Sequence, residues 1–333
     1  MRSGPFLKMD NMNIDSERKR GNGEKMSKID VIIPVYKPTE KLFKLLDKLK
    51  EQTVAVNRII LINTEQGYFD NLVAGTNFWQ KYKNVTVKHI SKREFDHGNT
   101  RRRAVTESDN DYFVMMTDDA VPADQFLLER LLAPVMSGEA GMSYARQLTG
   151  EESSVIEKFT RKFNYPEESE IKSSEDIRQK GIKAFFASNV CAAYDRKTYD
   201  SLGGFVKHTI FNEDMIYARK LIDGGGKIAY VADAKVYHSH KYSGKQQFKR
   251  NFDLGVSHAQ YPDVFEGIST ENEGVRLVKE TSRHLLHIGK PWLIVQLLWL
   301  SACKYLGYFF GKRYRLLSQK TVRAFSMNKE YWK

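Results

Sequence analysis

Residues 29–52 read IDVIIPVYKPTEKLFKLLDKLKEQ, a β-branched run followed by an amphipathic one. The β-branched run predicts a buried strand that stops at the sequence YKP. Leucines recur at helical spacing through the rest, and Thr39 stands where the N-cap of a helix belongs. A strand followed at once by a helix is the repeating unit of a sheet that is covered by helices.

The same alternation continues along the chain. Strands are predicted at residues 58–63 (RIILIN), 84–90 (NVTVKHI) and 112–117 (YFVMMT), with helices near 70–82 and 99–108 between them. Each strand is short and hydrophobic on both faces, as a parallel sheet with helices on both sides requires. We therefore predict an α/β, Rossmann-like fold with a mostly parallel sheet flanked by helices. No G-x-G-x-x-G follows the first strand and no P-loop occurs, which excludes those two nucleotide-binding fingerprints.

The composition fits a large folded core. The chain has 333 residues, of which 41% are hydrophobic and 28% charged, and these values exclude a disordered or collagen-like protein. Cys191 and Cys303 are the only cysteines, which excludes a disulfide scaffold or a cysteine-built zinc site and favours a reducing, cytoplasmic setting. The formal net charge of +12 favours contact with phosphates, nucleic acid or an anionic membrane.

The N-terminal residues, 1–28, are polar, mixed in charge and without hydrophobic periodicity. They contain no apolar run of signal-peptide length, so we predict a disordered leader. Met26 lies just before the first strand, and the folded part is expected to begin there.

The C-terminal part, residues 261–333, is predicted to be a helical and basic extension. Residues 291–311 read PWLIVQLLWLSACKYLGYFFG, with only Gln296 and Lys304 strongly polar, and residues 304–333 carry eight Lys or Arg against one Glu. An apolar helix rich in Trp and Tyr with a basic segment after it suits the surface of an anionic membrane, which we expect it to bind. A helix buried in the domain with a solvated tail, and a full transmembrane span, are the two alternatives.

A carboxylate pair, Asp118 and Asp119, follows the strand YFVMMT directly. Ligands of open α/β sheets bind at the carboxyl ends of the strands, so this placement predicts a site for a polar ligand or a metal ion. The alternative is a solvated helix N-terminus, where two carboxylates offset the helix dipole.

Two further acidic side chains and two imidazoles stand out. Glu213 and Asp214 open a predicted helix, a common arrangement that is weak evidence alone. His238 and His240 flank one serine in a predicted strand or turn. We expect these two histidines to point to opposite sides, so that at most one of them faces a given site.

Nine motifs occur in order: VIIPVYKP (31–38), EFDHGNTR (94–101), TDDAVPAD (117–124), YARQL (144–148), FTRKFNYPEES (159–169), NVCAAYDR (189–196), LGGF (202–205), FNED (211–214) and AKVYHSHKYSGKQQFKRNFDLG (234–255). The ordered set resembles the inverting family 2 glycosyltransferases of the GT-A fold, and more narrowly their bacterial rhamnosyltransferase-like branch. The resemblance extends weakly into KYLGYFFGKRYR (304–315) and implies a GT-A domain over residues 29–260.

This resemblance implies a metal-dependent transferase that uses a nucleotide-activated sugar, dTDP-L-rhamnose, to build a cell-envelope polysaccharide. The acceptor would be a glycan carried on a lipid, and the enzyme would act in the cytoplasm, peripheral on the inner face of the cell membrane. UDP-galactofuranose and UDP-glucose are alternative donors. A non-catalytic membrane-associated scaffold with a decayed site is an alternative of another class, because Thr117 stands where the family's metal motif has its first acidic residue.

The family's site residues carry over motif by motif. Asp119 matches the metal-binding Asp, and His238 matches the histidine that is a further metal ligand in related galactofuranosyltransferases, so the resemblance implies bound Mn²⁺ or Mg²⁺. Asp214 matches the catalytic base. Contacts to the nucleotide are implied for Pro34, Tyr36, Glu65, Arg101 and Asp118.

Sugar transfer needs each of these groups for a different task. The cation would neutralise charge on the leaving diphosphate, while a single base without a carboxylate nucleophile gives inversion. Glu213 is expected to be an acceptor contact or a structural one. The rings of FTRKFNYPEES fit either a sugar platform or core packing. Three arginines at 101–103 come with no nucleic-acid-binding module, so no nucleic acid partner is expected.

Overall fold

The structure is a computed structural model that describes residues 28–268 and 271–332. The predicted leader, residues 1–28, lies outside the described residues except for Lys28. Nine strands form one sheet in the order β3-β2-β1-β4-β8-β6-β9-β5, and β7 pairs with β9. The strands are β1 Ile29–Tyr36, β2 Val56–Thr64, β3 Val85–Ile90, β4 Tyr112–Met116, β5 Val121–Pro122, β6 Met142–Leu148, β7 Glu170–Lys172, β8 Cys191–Asp195 and β9 Ile228–Tyr237.

The first four strands confirm the predicted parallel arrangement. β1 pairs in parallel with both β2 and β4, and β2 pairs in parallel with β3. The helices of this half are α1 Glu40–Lys50, α2 Gln66–Val73, α3 Phe78–Lys81 and α4 His97–Val105. The Thr39 hydroxyl accepts a hydrogen bond from the backbone N–H of Lys41, as expected of the N-cap of α1.

The helix predicted near residues 70–82 is instead two short helices, α2 and α3. Gly75, just after α2, has a φ of 70°, a left-handed conformation that ends a helix and that glycine adopts without strain.

The second half of the sheet is mixed. β8 runs antiparallel between β4 and β6, β6 pairs in parallel with β9, and β5 and β7 are antiparallel to β9. The helices here are α5 Leu127–Met136, α6 Val155–Asn164, α7 Ile177–Lys180, α8 Arg196–Ser201 and α9 Glu213–Asp223, with 3₁₀ turns at Ser174–Asp176 and Gly181–Phe185. The α/β fold class is confirmed, and the parallel part of the sheet is concentrated in the N-terminal half.

Helices bury both faces of the central strands. Along β1, Ile32 packs in one hydrophobic cluster with residues of α9, while its neighbours Val31 and Ile33 pack in another with the leucines of α1. Successive residues of a strand point to opposite faces, so a strand that is hydrophobic throughout must be covered on both sides.

The C-terminal part is helical, as predicted. It contains α11 Pro262–Phe265, α12 Glu271–His287, α13 Leu293–Lys312 and α14 Gln319–Phe325, with 3₁₀ turns at Tyr314–Leu316 and Lys329–Tyr331, and α10 Gly244–Gln260 directly precedes it. Helix α13 lies directly against α10. A Cβ atom on Gly307 would lie 2.2 Å from the carbonyl oxygen of Phe248, and one on Gly311 would lie 2.1 Å from that of Phe252. The two backbones therefore touch at positions where only glycine fits.

The opposite side of α13 is exposed. Val295, Leu298 and Tyr305 have between 53% and 74% of their surface accessible. Among the described helices α13 alone combines the length and the apolar composition needed to cross a membrane, and 17% of its most apolar window is buried. A wholly buried helix is therefore not what the structure contains.

Candidate active site

A large cleft, about 1020 Å³ in volume, opens at the carboxyl ends of β1 and β4. Helices α6, α9, α10 and α13 contribute its other walls. Six of the predicted site residues line it: Tyr36, Arg101, Asp118, Asp119, Asp214 and His238. This is the edge of the sheet where open α/β folds bind their ligands.

Asp119, His238 and His240 form a cluster on one side of the cleft. The Nε2 atoms of His238 and His240 lie 3.5 Å and 3.3 Å from the two carboxylate oxygens of Asp119. One ligand atom from each residue lies within 4.8 Å of the others, close enough to hold one metal ion. The expectation that at most one of the two histidines faces a site is wrong. Residues two apart in extended chain share a side, and β9 has ended at Tyr237, which leaves both imidazoles free to turn inward.

A hydrogen bond to Gln147, on the side of the ring away from Asp119, fixes the orientation of His238. Its Nδ1 lies 3.0 Å from Oε1 of Gln147, an atom that can only accept, so Nδ1 carries the proton and Nε2 faces Asp119 with a free lone pair. Burial holds the pKa of His238 well below its usual range and keeps the ring neutral. A neutral imidazole with an exposed Nε2 is the form that binds a metal ion.

Asp118, just after β4, is hydrogen-bonded to the end of β1. Its Oδ2 accepts a hydrogen bond of 3.4 Å from the backbone N–H of Tyr36, at the end of β1. Burial and the neighbouring charge of Asp119 raise the pKa of Asp118 to about 7. Beside it, the Thr117 hydroxyl lines the cleft and is buried without a hydrogen-bond partner among the described residues.

Asp214 lies at the floor of the cleft, in the first turn of α9. The backbone N–H groups of Asn189 and Met215 donate to its two carboxylate oxygens at 2.9 Å and 2.8 Å. Burial, and then the charge of Glu213, raise the pKa of Asp214 to about 7. A carboxyl group with such a pKa can accept a proton near neutral pH.

Glu213 has a different environment from its neighbour. Its Oε1 lies 3.0 Å from Nε of Arg101 and accepts a hydrogen bond of 3.1 Å from the side chain of Asn189. Burial alone would raise the pKa of Glu213, but the charges of Arg101 and His97 hold it below its usual value. Glu213 lines the cleft and forms a buried ion pair with Arg101, the residue predicted to contact the nucleotide.

Two predicted nucleotide contacts lie away from the cleft lining. Pro34 is partly buried within β1, and Glu65 is partly buried just before α2, where its carboxylate accepts a hydrogen bond from the backbone N–H of Lys92. Tyr36, by contrast, stands at the rim, 40% exposed, with its ring edge-on to Tyr68.

The aromatic rings of residues 159–165 do not form one platform. Phe159 stacks on His284, and Phe163 lies against Lys183 and Arg276. Only Tyr165 of the three lines the cleft. Tyr165 alone of the three is buried in the core, whereas Phe159 and Phe163 are partly buried, so the segment forms neither a shared sugar platform nor a single core cluster.

Five residues that line the cleft or position its groups were not predicted to belong to the site: Gln147, Asn189, His240, Arg250 and Lys304. One signal was present for Lys304, which interrupts an otherwise apolar run. Gln147 and Asn189 left no such signal, because their partners come from strands and helices distant in the chain.

Known proteins share both the sequence and the fold. The pattern of the family described as "Glycosyl transferase family 2" matches residues 30–203. The chain is 37% identical over 313 residues to a protein described as O-antigen chain rhamnosyltransferase RfbN, from Salmonella typhimurium, with 92% of this chain and 96% of that protein covered. It is 36% identical over 312 residues to O-antigen chain rhamnosyltransferase WbaN of Salmonella anatum, with the same coverage.

Two solved structures resemble the fold. The mannosyltransferase PcManGT from Pyrobaculum calidifontis, in complex with GDP-Man and Mn²⁺, has a TM-score of 0.54 at 14% identity, with 93% of this chain and 86% of that chain covered. Residues 1–349 of TarS from S. aureus, in complex with UDP-GlcNAc, have a TM-score of 0.51 at 13% identity, with 87% and 92% covered. Sequence identity this low supports a shared GT-A fold and nothing more specific. The family pattern spans over half of the chain and the two Salmonella relatives match nearly all of it, so the chain belongs to glycosyltransferase family 2.

Proposed function

We propose that the protein is an inverting, metal-dependent rhamnosyltransferase. It transfers L-rhamnose from dTDP-L-rhamnose to a glycan on a lipid carrier during synthesis of an O-antigen-type cell-envelope polysaccharide. The observation that carries the proposal is the cleft, in which Asp214 shares one cavity with the cluster of Asp119, His238 and His240. The choice of sugar follows the two relatives, which are both described as rhamnosyltransferases.

The side chains of Asp119, His238 and His240 offer ligand atoms suited to one divalent cation. One carboxylate and two neutral imidazoles favour Mn²⁺ over Mg²⁺, which prefers oxygen ligands. When bound, the cation supplies positive charge to the leaving diphosphate. Gln147 keeps Nε2 of His238 turned toward that position.

Asp214 would act as the general base. As the acceptor hydroxyl attacks the anomeric carbon of the sugar, its proton passes to the Asp214 carboxylate, which two backbone N–H groups hold in place. Glu213 is engaged by Arg101 and Asn189, so it is not available as a nucleophile. A single displacement follows, and it converts the β-linked rhamnose of the donor into an α-L-rhamnoside.

The exposed face of α13 supports attachment to a membrane. The basic C-terminal segment follows this helix in the chain, and each Lys or Arg near an anionic surface contributes about 1 kcal/mol of attraction. We place the enzyme in the cytoplasm, on the inner face of the cell membrane, where a lipid-carried glycan is accessible.

The donor is tested by nucleotide release from dTDP-L-rhamnose, UDP-galactofuranose and UDP-glucose, with Mn²⁺ or Mg²⁺ and with EDTA. We expect release from dTDP-L-rhamnose that EDTA abolishes. Release from another donor would discard the rhamnose assignment. If no donor reacts even with lipid-linked acceptor present, the non-catalytic scaffold replaces this proposal.

The base is tested by Asp214→Asn, which keeps the shape but cannot take a proton. We expect turnover to fall by roughly 10²–10⁴-fold while affinity for dTDP stays unchanged. Asp223→Asn, at the exposed end of the same helix, is the control and should keep full activity. Full transfer by Asp214→Asn would overturn the mechanism.

A further inference from the structure

Two cations on the helical wall of the cleft have no assigned role. Arg250 belongs to α10 and Lys304 to α13, and both side chains line the cavity. Within the described part of the chain, no carboxylate lies at ion-pair distance from either of them. Glu152 and Glu157 also line the cavity but form no ion pair with these cations.

Arg250 is held in a fixed place. Its guanidinium lies 4.6 Å from the centre of the Phe211 ring and 5.8 Å from that of Tyr242. Tyr242 in turn stacks on His240, with the ring centres 5.0 Å apart. Arg250 thus stands near the proposed metal cluster, on the wall formed by the helices.

Lys304 faces the same space from the apolar helix. It shares one side of α13 with Leu300 and Gln296, four and eight residues before it, and all three line the cleft. Burial lowers the pKa of Lys304, and the charge of Arg250 lowers it further. Two like charges in a partly desolvated wall repel each other, and a bound anion would relieve that cost.

We propose that Arg250 and Lys304 form a subsite for a diphosphate group. Arginine offers a planar fork and lysine a point charge, the two side chains that proteins use to bind phosphate oxygens. The inference rests on the proposed function, which supplies two sources of this chemistry: the diphosphate of the nucleotide donor and the diphosphate that links a glycan to its lipid carrier. Lys304 lies on the helix whose other face is proposed to meet the membrane, so a carrier diphosphate entering along α13 would reach it.

The subsite is tested by calorimetric binding to the full-length protein with Mn²⁺, using two probes. The first is dTDP, and the second is farnesyl diphosphate as a short lipid diphosphate. Arg250→Met and Lys304→Met remove the charges while keeping unbranched stems. We expect both variants to bind at least one probe about tenfold more weakly, because each variant loses a hydrogen bond from a charged group. A loss confined to dTDP assigns the donor diphosphate, and one confined to farnesyl diphosphate assigns the carrier.

Matched controls come from the same helices. Lys245→Met on α10 and Lys312→Met on α13 remove exposed lysines outside the cleft and should leave both affinities unchanged. Lys304→Arg keeps the charge and should retain most of the binding even if Lys304→Met folds poorly. Unchanged affinity for both probes in Arg250→Met and Lys304→Met, with sugar transfer intact in the wild type, would overturn the subsite alone. A wild-type protein that binds neither probe and transfers no sugar would overturn the proposed function with it.

Discussion

Asp214 and Glu213 are adjacent carboxyl groups with different environments. Arg101 compensates the charge of Glu213, whereas the groups that donate hydrogen bonds to Asp214 in the described part of the chain are backbone N–H groups. Neighbouring carboxyl groups whose pKa values are pushed apart are typical of acid–base sites. The charge of Glu213 is therefore one cause of the raised pKa of Asp214, and it can be removed.

Glu213→Gln should shift the pH profile of transfer. The base must be deprotonated, so kcat/KM of the wild type should rise with pH through about 7, the pKa of Asp214. Without the charge of Glu213 the pKa of Asp214 falls, and the rise should move to lower pH. Below neutral pH, kcat/KM of the variant, as a fraction of its own maximum, should therefore exceed the corresponding fraction for the wild type. Initial rates with saturating acceptor across the pH range measure this shift.

Asp118 offers a competing explanation for the same profile, since its pKa is also raised to about 7. The charges that act on it are Asp119 and Lys41, not Glu213. If the profile belongs to Asp118, it will stay in place in Glu213→Gln. Asp223→Asn, which removes an exposed carboxylate from the other end of α9, controls for a general loss of negative charge.

At the scale of elements, local sequence signals predicted the strands and helices that carry the site, and distant contacts decided the rest. β-branched runs and leucine spacing were sufficient for β1, α1, β2 and β4, because each pattern lies within one element. The antiparallel insertion of β8 between β4 and β6 depends on pairing between segments about 80 residues apart for β4 and about 50 apart for β6, which leaves no periodicity in the sequence.

The contact of α10 with α13 is an element-scale feature that one methyl group can test. Gly307→Ala would bring a Cβ to 2.2 Å from the Phe248 carbonyl oxygen, so the helices must separate. We expect a loss of about 1–3 kcal/mol in the free energy of unfolding, measured by urea denaturation. Gly274→Ala in α12 is the matched control, because nothing lies within 4 Å of its added Cβ, and better helix propensity should leave it unchanged or slightly more stable. Equal stability of wild type and Gly307→Ala would mean that the helices do not pack this closely.

At the scale of the whole molecule, the family resemblance predicted that Asp119, Asp214 and His238 share one site, and all three line one cleft. His240 was not assigned to the site, because it and His238 were expected to point to opposite sides, whereas both face Asp119 beyond the end of β9 at Tyr237. Lys304 was taken as an interruption in a lipid-like helix, whereas it faces the cleft. That difference arises because the sequence specifies which residues of α13 are apolar but not which side packs on α10.

The sidedness of α13 allows the proposed membrane attachment to be tested without deleting the helix. Removing the C-terminal segment would expose Phe252 and Val256 of α10, which pack with Val322 and Tyr331, so a truncated protein would not report on membrane binding alone. Val295→Glu with Leu298→Glu instead changes two side chains that are 74% and 53% exposed.

We expect this double variant to lose most flotation with liposomes that contain anionic phospholipid, because two charges replace apolar area at the lipid boundary. Its thermal stability should match that of the wild type, since neither side chain is buried in the fold. Met136→Glu, on an exposed apolar residue of α5, controls for the substitution itself and should float normally. High salt should weaken wild-type flotation, since the basic C-terminal segment adds an attraction that ions screen. Equal flotation of the double variant and the wild type would place the membrane contact elsewhere, and the route by which a lipid-carried acceptor reaches Lys304 would then not run along α13.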